Sequence, residues 1–169
     1  APGGYAWIIP KGEIANVGIG IRHKYIDRPL KQWLDKFCDD LGVTIHSYGG
    51  GWIPLGGKVK SAVNDNVLGV GDAAGLVMPS NGGGIGQAII SGKLAGDAII
   101  SNLNSGVSLA GYDRALNVTM AKPLRISTRS KNLFWAFCRN DFMTETAMRI
   151  LGTNGLRRAV DCRRPLFII

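Results

Sequence analysis

Val67-Leu68-Gly69-Val70-Gly71-Asp72-Ala73-Ala74-Gly75, followed by Pro79 and then by Gly82-Gly83-Gly84-Ile85-Gly86, is the stretch on which the reading of this 169-residue chain turns. The apolar run 67–70 reads as a short buried strand that delivers Asp72 at its carboxyl end. A loop of small residues follows, and the glycines open a helix predicted over 84–102. The first amides of a helix have no acceptor inside it. Together with the helix dipole they favour an anionic or electron-rich group. A lone Asp beside them accepts hydrogen bonds and suits a hydroxyl-bearing chain such as a ribitol. Taken by itself, Gly71-Asp72-Ala73-Ala74-Gly75 also fits a plain tight turn.

Two commoner nucleotide loops fail on spacing. Gly69, Gly71 and Gly75 hold one residue too many for the Gly-x-Gly-x-x-Gly fingerprint. Gly86 and Gly92 enclose five residues where a phosphate-binding loop has four, and Lys93 is followed by Leu94 rather than Ser or Thr.

Upstream, 5–9 and 15–22 read as two strands joined by a turn at Pro10-Lys11-Gly12-Glu13, which makes a hairpin. Leu30, Trp33, Leu34, Phe37 and Leu41 recur at helical spacing, so 29–41 is predicted as a helix that enters at Pro29 and exits at Gly42. Short strands are expected at 43–48 and 51–55. On the helix over 84–102, Ile85, Ala88, Ile89, Gly92, Gly96 and Ile99 share one face, where the two glycines allow another backbone close approach. Beyond it, Ser108 is expected to cap a helix that runs to a kink or a break at Pro123. Further helical runs follow over 124–139 and 141–151, then a short basic segment at 157–164.

Composition narrows the classes. Apolar residues make up 46% and charged residues 19%, which argues against intrinsic disorder. Cys38, Cys138 and Cys162 are widely spaced, with no Cys-x-x-Cys, and His23 and His46 are the two histidines. A metal site built by this chain alone is not expected, nor a disulfide framework, and a reducing cytoplasm fits. Cys38 is expected to pack beside the helical stripe, and neither histidine reads as catalytic. The chain opens Ala1-Pro2-Gly3-Gly4 directly into a strand, so it reads as processed or as part of something longer. The longest apolar candidate for a membrane span, 84–103, is interrupted by Lys93 and Asp97.

The glycine-rich stretch resembles the second FAD-binding motif of flavoproteins built like the aromatic hydroxylases. A second match narrows the family. Tyr5-x-Trp7-x-Ile9-Pro10, then seven residues and Gly18, resembles the Tyr-x-Trp-x-Phe-Pro-x7-Gly motif of geranylgeranyl reductases, with Ile9 where the family has Phe. The two motifs stand in the family's order and span roughly the first 100 residues. The resemblance implies an α+β chain carrying part of an FAD-binding flavoprotein fold. Residues 1–62 would close a substrate-binding antiparallel sheet, 63–104 would return to the FAD domain, and 105–169 would form a helical C-terminal region. It implies FAD as cofactor, with Gly71, Asp72, Ala73, Gly75, Pro79, Gly82, Gly83, Gly84, Ile85 and Gly86 around it. Asp72 would bond the ribitol, Pro79 would shape the loop, and the amides of Gly83, Gly84 and Ile85 would face the flavin pyrimidine edge. Tyr5, Trp7, Pro10 and Gly18 would line the path of an isoprenoid or polyprenyl lipid substrate whose double bonds are reduced. No residue is identified as the proton donor.

The N-terminal dinucleotide fingerprint is missing from this chain, so by itself it is expected to bind FAD weakly or not at all, to be inactive, and to self-associate through open edges. A hydroxylase or quinone-linked oxidoreductase on the same scaffold is the nearest alternative, against which the spacing of Tyr5, Trp7, Pro10 and Gly18 argues. The alternative of another class is a basic module for membrane surfaces. Arg114, Lys122, Arg125, Arg129, Lys131 and Arg139 stand without an acid between 114 and 140, interleaved with Leu133-Phe134-Trp135-Ala136-Phe137. This reads either as a solvated helix face over core aromatics or as peripheral contact with an anionic membrane. No nucleic-acid-binding signature accompanies the charge.

Overall fold

Alternating β-branched and aromatic residues give two antiparallel strands, β1 (Tyr5–Lys11) and β2 (Ile14–Gly20), in the register Trp7 opposite Gly18 and Pro10 opposite Ala15. This computed structural model describes residues 3–137 and 141–160. The hairpin turn is tighter than the sequence suggests. It takes only Gly12 and Glu13, and Pro10 sits inside β1. A two-stranded sheet has two open edges, so a proline without N–H is tolerated there.

Helix α1 (Leu30–Leu41) follows from Pro29 and packs on β2. It closes on Gly42, whose N–H donates to the Asp39 carbonyl while Val43 N–H donates to that of Cys38. Cys38 is buried, as its place beside the stripe predicts. The strands expected at 43–48 and 51–55 do not form, and both stretches run without regular structure. Gly49, Gly50, Gly51 and Gly56 interrupt the apolar alternation, and among the described residues no neighbouring strand offers a ladder. The segment after α1 is held instead by side chains. Tyr48 donates to the Asp35 carboxylate at 2.6 Å, and Lys31 donates to the same carboxylate at 2.8 Å.

The backbone divides into two compact units, Ala1–Gly51 and Trp52–Ile169. The second is built around a hairpin of β3 (Val63–Asn64) and β4 (Val67–Leu68), then α2 (Ile85–Ser105), α3 (Gly111–Phe137) and α4 (Asp141–Val160). Its core gathers Ala62, Ala74, Leu76, Ala95, Tyr112, Leu116, Met120 and Leu124. The run 67–70 is not the buried strand its composition suggests. Only two residues pair, and Val67 and Val70 are exposed.

Helix α2 faces the opposite way from the expected stripe. Ile85 and Ile89 are 82% and 69% exposed, while Ser91 and Ala95 are buried. The reason is polar. Tyr112 donates its hydroxyl to the Gly69 carbonyl at 2.8 Å, and Ser91 bonds the loop on the same side. Small residues at 91 and 95 let these groups approach.

Helix α3 does not break at Pro123 but runs through it. The carbonyl that loses its partner is that of Thr119, an exposed residue that water can serve. Ser108 lies three residues before α3, where its hydroxyl accepts the Ala110 N–H and its carbonyl the Gly111 N–H in the turn that leads into the helix. Within α4 the helical run from Asp141 stops at 151, as expected, because Gly152 takes a non-helical conformation (φ 58°), and a second helical stretch follows it to Val160. Cys138, Arg139, Cys162 and the basic residues 163–164 lie outside the described residues. Among the described residues, no helix is long and apolar enough to cross a membrane.

Candidate functional site

Two constellations carry the chemistry the sequence points to, one in each unit. In the second unit, the chain leaves β4 and turns through one 3-10 turn, Gly71–Ala74. Gly75 ends that turn at φ 65°, a left-handed conformation that favours glycine, and a Cβ there would run into the Gly57 carbonyl oxygen. Leu76 N–H returns to the Gly71 carbonyl. The loop after it is stitched closed by Met78 N–H to the Gly83 carbonyl and Gly82 N–H to the Met78 carbonyl, both 2.8 Å. Pro79 is buried within it.

These bonds place Asp72 over the start of α2. Its Oδ1 lies 2.9 Å from where a Cβ on Gly84 would stand, so glycine at 84 is what lets the carboxylate sit there. Asp72 is exposed, and its carboxylate accepts no hydrogen bond from any described residue. Helix α2 begins at Gly84 without a side-chain cap and without an acid in its first turn. The Gly83 amide is engaged, donating to Asn81 Oδ1 at 2.9 Å. At the start of α2 the amides without an acceptor among the described residues are therefore those of Gly84, Ile85, Gly86 and Gln87, the next amide, of Ala88, donating to the Gly84 carbonyl. Ile85 and Gly86 are exposed, and space is open around Gly86. A free carboxylate beside uncapped helix amides, in open space, fits a ligand with hydroxyls next to an electron-rich group.

Three partners of this loop carry no signal in the sequence. Ser91 Oγ accepts the Gly71 N–H at 2.9 Å and donates to the Gln87 carbonyl at 2.7 Å. Ser127, fully buried on α3, accepts the Ser80 N–H at 2.9 Å. Tyr112 supports Gly69, and burial, helped by the neighbouring Asp113 carboxylate, raises its pKa and keeps it a donor. Serines inside apolar helix faces look like noise until the loop they hold is seen.

In the first unit, Tyr5 and Trp7 share a strand face with ring centroids 5.8 Å apart. Trp7 lies across its cross-strand partner Gly18, in the space a Cβ at 18 would need. The indole Nε1 donates to Asn16 Oδ1 at 2.7 Å. Gly18 thus leaves room for a ring to lie on the sheet, and Asn16, which the motif omits, sets the plane of that ring. Burial raises the Tyr5 pKa, so its phenol stays protonated at neutral pH. Pro10 is exposed in the strand opposite Ala15.

Residues 1–48 match the family described as geranylgeranyl reductase catalytic domain. Digeranylgeranylglycerophospholipid reductase 2 of Methanothermobacter thermautotrophicus is 37% identical over 139 residues, covering 79% of this chain and 36% of that protein. The digeranylgeranylglycerophospholipid reductase of Methanococcus vannielii is 33% identical over 166 residues, covering 95% of this chain and 40% of that protein. A crystal structure of a geranylgeranyl bacteriochlorophyll reductase-like protein from Thermoplasma acidophilum superposes with a TM-score of 0.74 at 26% identity, over 95% of this chain and 45% of that one. The chain belongs to the geranylgeranyl reductase family. Its mixed helices and small antiparallel sheets are those of that family's flavoprotein fold. The chain spans less than half the length of these relatives.

Proposed function

We propose that the protein containing this chain is an FAD-dependent oxidoreductase that reduces the double bonds of a geranylgeranyl or related isoprenoid lipid. The observation that carries this reading is the unpaired Asp72 carboxylate held over the uncapped start of α2. Asp72 accepts hydrogen bonds from the hydroxyls of the ribityl chain. The amides of Gly84, Ile85 and Gly86 offer donors to the electron-rich edge of the ring, a fixed arrangement that costs no reorganisation during reaction. Gly71, Ala73, Gly75, Pro79, Gly82 and Gly83 hold the loop that presents them. When bound and reduced, FAD would supply a hydride to one alkene carbon, leaving oxidised flavin, while a proton adds to the neighbouring carbon. Tyr5 and Trp7 give the hydrocarbon chain an apolar wall and keep water from it. In the whole protein, residues 1–62 belong to the substrate-binding sheet, 63–104 to the FAD-binding domain and 105–169 to a helical region. A lipid substrate also brings the working protein to a membrane surface.

The test uses the full-length protein. Flavin content after gel filtration and the reduction of geranylgeranyl lipid by dithionite-reduced enzyme are measured for the natural protein and for Asp72→Asn. The expected result is flavin co-purification and saturated product for the natural protein, with loss of most flavin from the variant. Flavin retention equal in both, or no reduction of any isoprenoid by flavin-loaded enzyme, overturns the reading.

A further inference from the structure

Helix α3 has two faces of opposite character. One side carries Tyr112, Leu116, Met120, Leu124 and Ser127 into the core. On the other, Arg114, Lys122, Arg125 and Arg129 are all exposed. At about 3.6 residues per turn these four fall within roughly a quarter of the helix circumference, along about 22 Å of its length. None makes a hydrogen bond or ion pair with any described residue. The acids of this unit that do form ion pairs are taken by other cations, Asp113 by Lys58, Asp97 by Lys93 and Glu145 by Arg149. Like charges three and four residues apart destabilise a helix. A row of four without counter-charge has an external anion as its natural complement.

The shape and lining of the row select among anions. A straight row on a rod meets a plane along a line, which suits a layer of phosphate headgroups. Val118, 81% exposed, lies within the row, and Leu133, 41% exposed, lies one turn beyond Arg129. Aliphatic side chains among cations suit the boundary between headgroups and acyl chains. The row holds no aromatic ring on which a nucleobase could stack.

We propose that the Arg114–Lys122–Arg125–Arg129 face of α3 docks the protein on an anionic lipid surface. The inference rests on this charge arrangement and not on the reductase reading. The test is co-sedimentation of the whole chain with vesicles of phosphatidylglycerol and phosphatidylcholine, against phosphatidylcholine alone, at low and high salt. Binding is expected to the anionic vesicles only and to weaken with salt. The Arg125→Glu/Arg129→Glu variant is expected to bind about tenfold more weakly or worse. Arg125→Gln/Arg129→Gln, which spares the fold any new repulsion, should fall in the same direction by a smaller factor. Lys11→Glu/Lys60→Glu makes the same change in net charge elsewhere and should bind within about twofold of the natural chain. Equal losses in the two charge-reversed variants, binding to neutral vesicles, absence of binding to anionic ones, or tighter binding to single-stranded RNA than to vesicles would each overturn the proposal.

Discussion

Asp113 stands in the first turn of α3 and ties it to a segment more than 50 residues earlier. Its carboxylate accepts from Lys58 Nζ at 2.9 Å, from Ser61 Oγ at 2.7 Å and from the Ala62 amide at 3.1 Å. Burial alone would raise its pKa, but the bonds from Lys58, Ser61 and Ala62 outweigh that and bring it down from 3.8 to about 2. The side chain keeps only 22% of its exposure, so solvent screens this modestly. At about 1.4 kcal/mol per pKa unit, the ionised carboxylate stabilises the fold by about 2 kcal/mol. The folded pKa lies below the unfolded one, so this stability is complete above about pH 5 and drains away as pH falls toward 2. Asp113→Asn keeps the shape and removes the charge. It is expected to lower the melting temperature at pH 7 by about 4–8 °C for a chain of this size. The gap between natural and variant chains should close to under about 1 kcal/mol near pH 2. Urea titrations followed by circular dichroism at pH 7, 4 and 2 measure it. A gap that stays the same at all three pH values would refute the electrostatic account, as would no gap at pH 7.

Other residues give shorter tests. Gly84→Ala, at the N-cap of α2, puts a methyl against the Asp72 carboxylate. In the full-length protein it should reduce bound flavin, read by absorbance per protein, at a cost to stability of under about 1 kcal/mol in a urea titration. Asn16→Leu removes the acceptor for the Trp7 indole, and Asn16→Asp keeps it. The Trp7 Nε1 proton should exchange with solvent faster in the Leu variant only, as seen by NMR. Gly75→Ala meets both a left-handed backbone and the Gly57 carbonyl. It should cost about 2–4 kcal/mol in a urea titration. Leu116→Ala, at a position without exposure, should cost about 2–5 kcal/mol in the same assay.

What could be read from the sequence was whatever leaves a local mark. The hairpin, α1 with its Gly42 exit and the start of α2 all follow from patterns within a dozen residues. Pro123 marked a break that does not occur, because one lost hydrogen bond is cheap at an exposed carbonyl and α3 has a continuous core stripe from Tyr112 to Leu124. The strands expected at 43–48 and 51–55 fail for the converse reason. Their apolar residues suit a sheet, but a strand exists only where another offers it hydrogen bonds, and none does among the described residues.

The orientation of α2 explains why half of the candidate site was hidden. Hydrophobic periodicity turns Ile85, Ile89 and Ile99 inward, yet they are exposed and Ser91 is buried. The loop at 69–75 decides this, because its amides and carbonyls need partners. Ser91 accepts from Gly71 and Tyr112 donates to Gly69, and Ser127 does the same service for Ser80. A motif written in glycines records where a backbone must bend or approach. It cannot record the hydroxyls that hold the bend, since a serine on a helix reads alike whether it faces water or a loop amide. The same division holds in the first unit. Gly18 is legible as part of a spacing, while Asn16 gains its meaning only once Trp7 is seen lying across the strand toward it. The residues that shape both constellations were therefore visible in the sequence, and the residues that hold them in shape were not.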